Sequence, residues 1–279
     1  MTYVVFDIGG TKTRIATSED LKSFSEEKSY KTPPTFNAGM KQFVETVKEM
    51  TDDVTAIAGG IRGRLMEDKS GIDNDGILTK WSGESVTGYL EKEFGDIPVF
   101  LENDTAIAGV GEAVFGAGEG MEIVAYHTVS TGVGGAKIEN GEIDVADIGF
   151  EPGHQILDID RTIMGEEITP TLENMVSGTA VKNRFGVEPY EIPQTDVLWD
   201  DLAGYLSQGL RNTILYWSPD AIVLGGSMII GDPAIKIDSI RKATADALDG
   251  FEDTPLITEA KLGDVAGLWG GLALLSRRL

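Results

Sequence analysis

Glu102-Asn103-Asp104 closes an apolar run, Ile97–Leu101, that reads as a strand, and a helix-like stretch from Asp104 to Phe115 begins at once. Carboxylates and amides at the end of a buried strand have two uses here. Asp caps helix N-termini by accepting their unpaired backbone N–H groups. An Asp at the C-terminal end of a strand in an α/β sheet also lies where ligands bind, and there it can take a proton from a sugar hydroxyl.

Three glycine turns accompany that segment. Asp7-Ile8-Gly9-Gly10-Thr11-Lys12 reads as the tight tip of a hairpin. Glycines there let backbone N–H groups approach a phosphate, Thr11 adds a hydroxyl, and Asp7 can hold a magnesium ion through water. The alternative is a plain hairpin turn. Ser130-Thr131-Gly132-Val133-Gly134-Gly135 is a second such turn, and it is neither a dinucleotide fingerprint nor a P-loop. Gly225-Gly226 follows a buried strand, either to admit a flat nucleoside or to pack a strand-to-helix turn. Glu151, His154 and Glu173 lie in polar loops and suit the planar hydrogen bonding of sugar hydroxyls, with a structural or surface role for His154 as the alternative. His127 falls inside a strand and reads as a packing residue.

The elements that must position these residues alternate along the chain. Tyr3–Phe6 and Thr13–Thr17 read as strands, residues 38–50 as a helix, Val54–Ala58 as a strand ending in Gly59-Gly60, and Val86–Phe94 as a helix. The pattern restarts with strands at 122–126 and 136–139, and Asn140-Gly141 is a strong hairpin signal. A strand, a Gly/Thr turn and a strand therefore occur twice, at 3–17 and 122–139, which reads as a duplicated architecture. Periodicity is poor from 147 to 183. A long helix with Leu202, Leu206, Leu210, Ile214 and Trp217 on one face follows, then a strand at 221–224, a helix near 233–248, a strand at 256–258 and a closing helix over 265–275. Alternating strands and helices argue for α/β sheets covered by helices.

The totals bound the partners. The chain has 279 residues, 41% hydrophobic and 25% charged, no cysteine and a net charge of −23. Nucleic acid needs clustered Lys and Arg and is not an expected partner. No stretch is apolar enough to span a membrane, and the N-terminus lacks the basic region of a signal peptide, so a soluble cytoplasmic protein is expected. An anionic substrate here must be held by backbone nests, helix N-termini and a cation.

Taken together, the motifs resemble those of the ROK family of sugar kinases, in the right order over nearly the whole chain. Asp7–Lys12 is similar to its first phosphate motif, Glu102–Asp104 with Gly111-Glu112 to its catalytic segment, and Thr128–Gly135 to its second phosphate motif. Glu151–His154 resembles its Glu-x-Gly-His sugar motif, Glu173 with Ser177-Gly178 the next, Ile222–Gly226 the nucleoside-side motif, and Ala266–Gly271 the C-terminal helix. The resemblance implies an α/β fold of two RNase H-like (actin-like ATPase) domains around a central cleft, one of residues 1–115 plus 265–279 and one of 116–264. It implies a hexose kinase using ATP and Mg2+, with Asp104 as general base and Gly63, Asn103, Asp104, Glu151, His154 and Glu173 holding the sugar. Asp7, Gly9, Gly10, Thr11, Lys12, Thr131, Gly132, Gly134, Gly225 and Gly226 would face the nucleotide, and Asp7 the metal. A homodimer is one expectation for the assembly, which the sequence itself leaves open.

The chain departs from the family pattern at three places. Many members carry a zinc site of one His and three Cys, which a cysteine-free chain cannot form. Ala106 stands where Asn is frequent, and Pro152 where an aliphatic residue is usual. Glucose is the leading substrate expectation, with N-acetylmannosamine, N-acetylglucosamine and fructose behind it. A polyphosphate-dependent glucokinase would want a basic groove, which the charge does not favour. A sugar-sensing ROK repressor would carry a helix-turn-helix before the first phosphate motif, which here starts seven residues into the chain.

Overall fold

In the computed structural model, which describes residues 1–144, 146, 149–250 and 254–279, Tyr3–Ile8 (β1) and Lys12–Ser18 (β2) pair antiparallel, with Asp7 opposite Arg14. Lys28–Lys31 (β3) adds to the outer edge of β2. Phe36–Met50 (α1) precedes Ala56–Ile61 (β4), and Arg64–Leu65 (β5) and Ile72–Asn74 (β6) make a short ribbon. Val86–Phe94 (α2), Val99–Asn103 (β7) and Asp104–Phe115 (α3) complete this stretch. The sheet runs β3-β2-β1-β4-β7, with β1, β4 and β7 parallel.

The period of two in β1 sends its residues to opposite faces. Val4, Phe6 and Ile8 join a core with Phe43, Trp81 and Leu90 under α1 and α2, whereas Val5 belongs to a second core on the other face. Asp7 shares the face of Val5.

The second half repeats the arrangement. Ile123–Val129 (β8) and Val133–Glu139 (β9) pair antiparallel, and Glu142–Ile143 (β10) extends them through the Asn140-Gly141 turn, where both residues have positive φ. A 3-10 turn covers Pro152–His154, followed by Leu172–Val176 (α4) and Gly178–Phe185 (α5). Leu198–Trp217 (α6) buries Leu202, Leu206, Leu210 and Ile214, spaced one turn apart, against the sheet. Ala221–Gly225 (β11), Ser227–Ile230 (α7), Ile237–Leu248 (α8) and Leu256–Glu259 (β12) follow. This sheet runs β10-β9-β8-β11-β12, the same order of antiparallel and parallel neighbours as the first.

Ala266–Arg278 (α9) ends the chain and packs on the first sheet, where Leu268, Leu272 and Leu275 meet Val5, Ala56 and Ala58. Gly270 sets its closeness to α3, since a Cβ there would fall 1.8 Å from the Ile107 carbonyl oxygen. The chain thus divides into two units, residues 1–115 with 264–279, and residues 116–263.

Several element ends differ from the sequence reading. Asp7 and Ile8 are strand, so the first turn is shorter than 7–12; Gly134 and Gly135 lie inside β9, so the second turn is Ser130–Gly132. Gly59-Gly60 lies within β4 rather than after it, because a Cβ on Gly59 would strike the Phe6 carbonyl and ring, and only glycine lets the two strands lie there.

Candidate active site

In the first unit, the C-terminal ends of β1, β4 and β7 gather the charged groups. Asn103, the last residue of β7, is the cap of α3: its Oδ1 accepts from Thr105 N at 3.0 Å and from Ala106 N at 3.2 Å. Its Nδ2 donates to the Gly63 carbonyl at 3.1 Å. Asn103 thus performs the capping that the sequence offered to Asp104, and ties the β4 loop to the helix start.

Asp104, the first residue of α3, is half-buried, and its Oδ1 accepts from Thr105 N at 2.8 Å. Burial raises its pKa above the ordinary carboxylate value, the Thr105 N–H and the Arg62 charge lower it, and the Asp75 charge raises it. Asp7 is pushed up to about 7, first by burial and then by the Asp104 charge, against the opposing pull of Arg14. The Arg14 guanidinium lies 3.8 Å from Asp7 and 3.6 Å from Glu27, and bonds Asp264.

The first turn is held from below. Gly9 N donates to the Lys12 carbonyl at 3.0 Å, Thr32 Oγ1 donates to the Gly9 carbonyl at 2.7 Å, and Thr32 N donates to the Thr11 carbonyl. The Thr13 and Thr32 hydroxyls share a buried hydrogen bond of 3.0 Å. Thr11 and Lys12 are exposed at the tip.

In the second unit, the Ser130–Gly132 turn is braced by three neighbours. Gly178 N donates to the Ser130 carbonyl at 2.7 Å, Ser130 and Ser227 share a hydroxyl bond of 3.0 Å, and Glu173 Oε2 accepts from Val133 N at 2.8 Å. A Cβ on Gly132 would fall 2.6 Å from that carboxylate oxygen. Glu173 therefore touches the second glycine turn directly, a link its sequence position did not suggest. Pro152 and Gly153 lie flat on β9, and the Gln155 amide bridges the Pro152 carbonyl to Asn212 of α6, which leaves Glu151 and His154 exposed on either side.

Gly226 has φ of +89° and sits so close to Val129 that a Cβ would fall 2.3 Å from its carbonyl oxygen; a Cβ on Gly225 would meet the Tyr126 hydroxyl at 2.7 Å. These contacts give both glycines a packing reason. His127 is fully buried, shares a 3.1 Å hydrogen bond with Thr213 and stacks on Trp217, and burial lowers its pKa to about 4.

The sequence reading missed Arg62, Asp75 and Arg14. The available signal was positional: Arg62 follows the end of β4 as Asp104 follows the end of β7.

The fit of a divalent cation rests on Asp7, a half-buried carboxylate with the Asp104 carboxylate acting on it. Among the described residues no group of three or more His, Cys, Asp or Glu forms a metal cage. That donor set suits magnesium, which keeps waters and phosphate oxygens as ligands and takes one or two carboxylates from the protein. No helix among the described residues is long and apolar enough to cross a membrane.

A family model described as the ROK family matches residues 3–278. A fructokinase of Lactococcus lactis subsp. cremoris is 29% identical, over 92% of this chain and 89% of its own length. A ROK hexokinase from Thermus thermophilus has a TM-score of 0.83 to this structure at 26% identity, covering 100% of this chain and 99% of its own. A ROK family glucokinase from Streptomyces griseus, in complex with glucose and AMPPNP, has a TM-score of 0.77 at 25% identity, with 100% of both chains covered.

Proposed function

This chain belongs to the ROK family, and on that premise we propose that it transfers the γ-phosphoryl group of ATP to the primary hydroxyl of a hexose. It is a sugar kinase. The observation that carries the reading is the division of labour at the end of β7. Asn103 takes over the helix cap, so the Asp104 carboxylate stands at the strand end with its basicity raised by burial.

The Asp104 carboxylate accepts the proton of the attacking hydroxyl. The sugar oxygen forms its bond to the γ-phosphorus as the bond to the β–γ bridging oxygen breaks, and ADP leaves. Phosphoryl transfer asks little covalent chemistry of the protein beyond positioning and charge compensation. Glycine turns 9–11 and 130–132 supply backbone N–H groups to the phosphates, and Asp7 is the residue that would hold Mg2+. Bound there, the ion would neutralise charge on the β- and γ-phosphates. Gly63 and Asn103 fix the loop beside the base, and Glu151, His154 and Glu173 hold sugar hydroxyls. Gly225 and Gly226 lie on the nucleoside side.

Fructose and glucose are the first two sugars to test. The L. lactis relative is a fructokinase, and the S. griseus neighbour binds glucose with a nucleotide analogue. A coupled assay for ADP release, run over glucose, fructose, mannose, N-acetylmannosamine and N-acetylglucosamine, tests the reading. ATP-dependent turnover with at least one hexose is expected, and polyphosphate should not replace ATP. No ADP release with any sugar would overturn it.

A further inference from the structure

We propose that Arg62 is a further catalytic residue, whose guanidinium contacts the phosphoryl group in flight between the Gly9–Thr11 turn and Asp104. The proposal rests on the kinase reading above.

Three contacts fix Arg62. Its backbone N donates to the Ile8 carbonyl at 2.9 Å, which places it beside the residue that opens the first turn. Its stem passes over that turn, with Cδ 3.2 Å from where a Cβ on Gly10 would stand. Its Nε donates to Asp75 Oδ1 at 3.2 Å. Asp75 is a firm anchor: its side chain is 7% exposed, and its Oδ2 accepts from Ile77 N at 3.0 Å and Leu78 N at 2.6 Å.

A guanidinium has five N–H donors in a rigid fork. Asp75 engages Nε, and the side chain stays 37% exposed, so the terminal nitrogens retain donors for an incoming oxyanion. The charge balance makes that donor valuable. Asp7, Asp75 and Asp104 crowd the strand ends, in a chain of net charge −23, and would repel a triphosphate. Arg14 is already engaged by Asp7, Glu27 and Asp264. Arg62 keeps an open face, and its charge also reaches Asp104. A preorganised donor of this kind acts mainly where charge develops in the transition state.

The test is steady-state kinetics of the full chain, with ATP and the best sugar of the panel, for Arg62→Gln, Arg62→Lys and Arg62→Ala. Arg62→Gln is expected to lower kcat about 10²-fold, with the sugar KM within about threefold of the parent. Arg62→Lys keeps the charge without the fork and should fall between the two. Methylguanidine in the buffer should restore part of the Arg62→Ala turnover, which a purely structural arginine would not allow. Should one variant lose its fold, the remaining variants decide by the same kcat criterion. An active parent with unchanged kcat in the folded variants overturns this proposal alone. So does a raised sugar KM at unchanged kcat, which would make Arg62 a sugar ligand. A parent inactive on every sugar overturns the kinase reading, and this proposal with it.

Discussion

The hairpins β1–β2 and β8–β9 are the same motif with different chemistry. Each starts a sheet of the same strand order, and each turns at a short Gly/Thr tip. At the last pair but one before the tip, the first hairpin sets Asp7 opposite Arg14, and the second sets Thr128 opposite Gly134. The first tip lies among carboxylates and two arginines; the second is braced by hydroxyls, a backbone N–H and one carboxylate. A duplicated backbone supplies Gly/Thr turns twice, but the crowded carboxylates and arginines collect in one copy. The difference lies in side chains at strand ends, where substitution leaves the sheet ladder intact.

Asp7→Asn should break the comparison most strongly, by giving the first hairpin a neutral group like the second. Turnover should fall roughly 10²–10³-fold through loss of the charge proposed to hold a cation. Stability should move the other way. With its pKa raised from 3.8 to about 7, Asp7 favours the protonated form in the fold, so stability is lost as pH rises from about 4 to 7. The loss is on the order of 4 kcal/mol at pH 8. Ligand-free Asp7→Asn should therefore melt higher than the parent at pH 8 and no higher near pH 4. Thermal melts at both pH values, beside the kinetic assay, check this.

His127 sharpens the comparison from the other unit. Its folded pKa of about 4 lies below the ordinary 6.5, so the unfolded chain binds the proton first. Stability is complete above about pH 6.5 and is lost as pH falls towards 4, by about 3 kcal/mol. His127→Phe keeps a ring against Trp217 and should flatten that part of the urea-unfolding profile between pH 7 and 4. An unchanged profile would show that His127 does not titrate differently on unfolding.

A smaller effect is expected at Glu173. Glu173→Ala leaves Val133 N without its acceptor, which costs about 1–3 kcal/mol. The looser second turn should also raise the KM for ATP. Urea titration and ATP saturation curves measure both. If neither changes, the brace is dispensable, and the second turn stands on Ser130, Ser227 and Gly178.

The duplication and the fold class were legible because the period-two strands and their Gly/Thr tips appear twice in the sequence. Helix α3 was legible over 104–115, since Asn-Asp directly before an Ala/Gly/Val-rich stretch is a local start signal. Which of the two residues caps was not legible, because both are good caps and only the geometry separates them. Gly59-Gly60 read as a strand end because the reason for glycine there is Phe6, on a neighbouring strand. Arg62 and Asp75 are separated by 13 residues and meet only through the β5–β6 ribbon. Glu173 reaches Val133 across 40 residues, from a region without periodicity. Long-range polar contacts leave no periodic trace, so the chemical types were readable and their partners were not.

The central claim is that Asp104 is the base and Asn103 the cap, and Asp104→Asn tests it most directly. The variant keeps the size and most hydrogen bonds of the side chain, and α3 retains its cap. The measurement is turnover at saturating sugar and ATP, taken with the melting temperature and the sugar dissociation constant of the same preparation. A melting temperature and sugar affinity close to the parent's, with turnover lower by about 10²–10⁴-fold, is the predicted result. A folded Asp104→Asn protein with turnover within about threefold of the parent's, well short of the loss of a general base, would contradict the account.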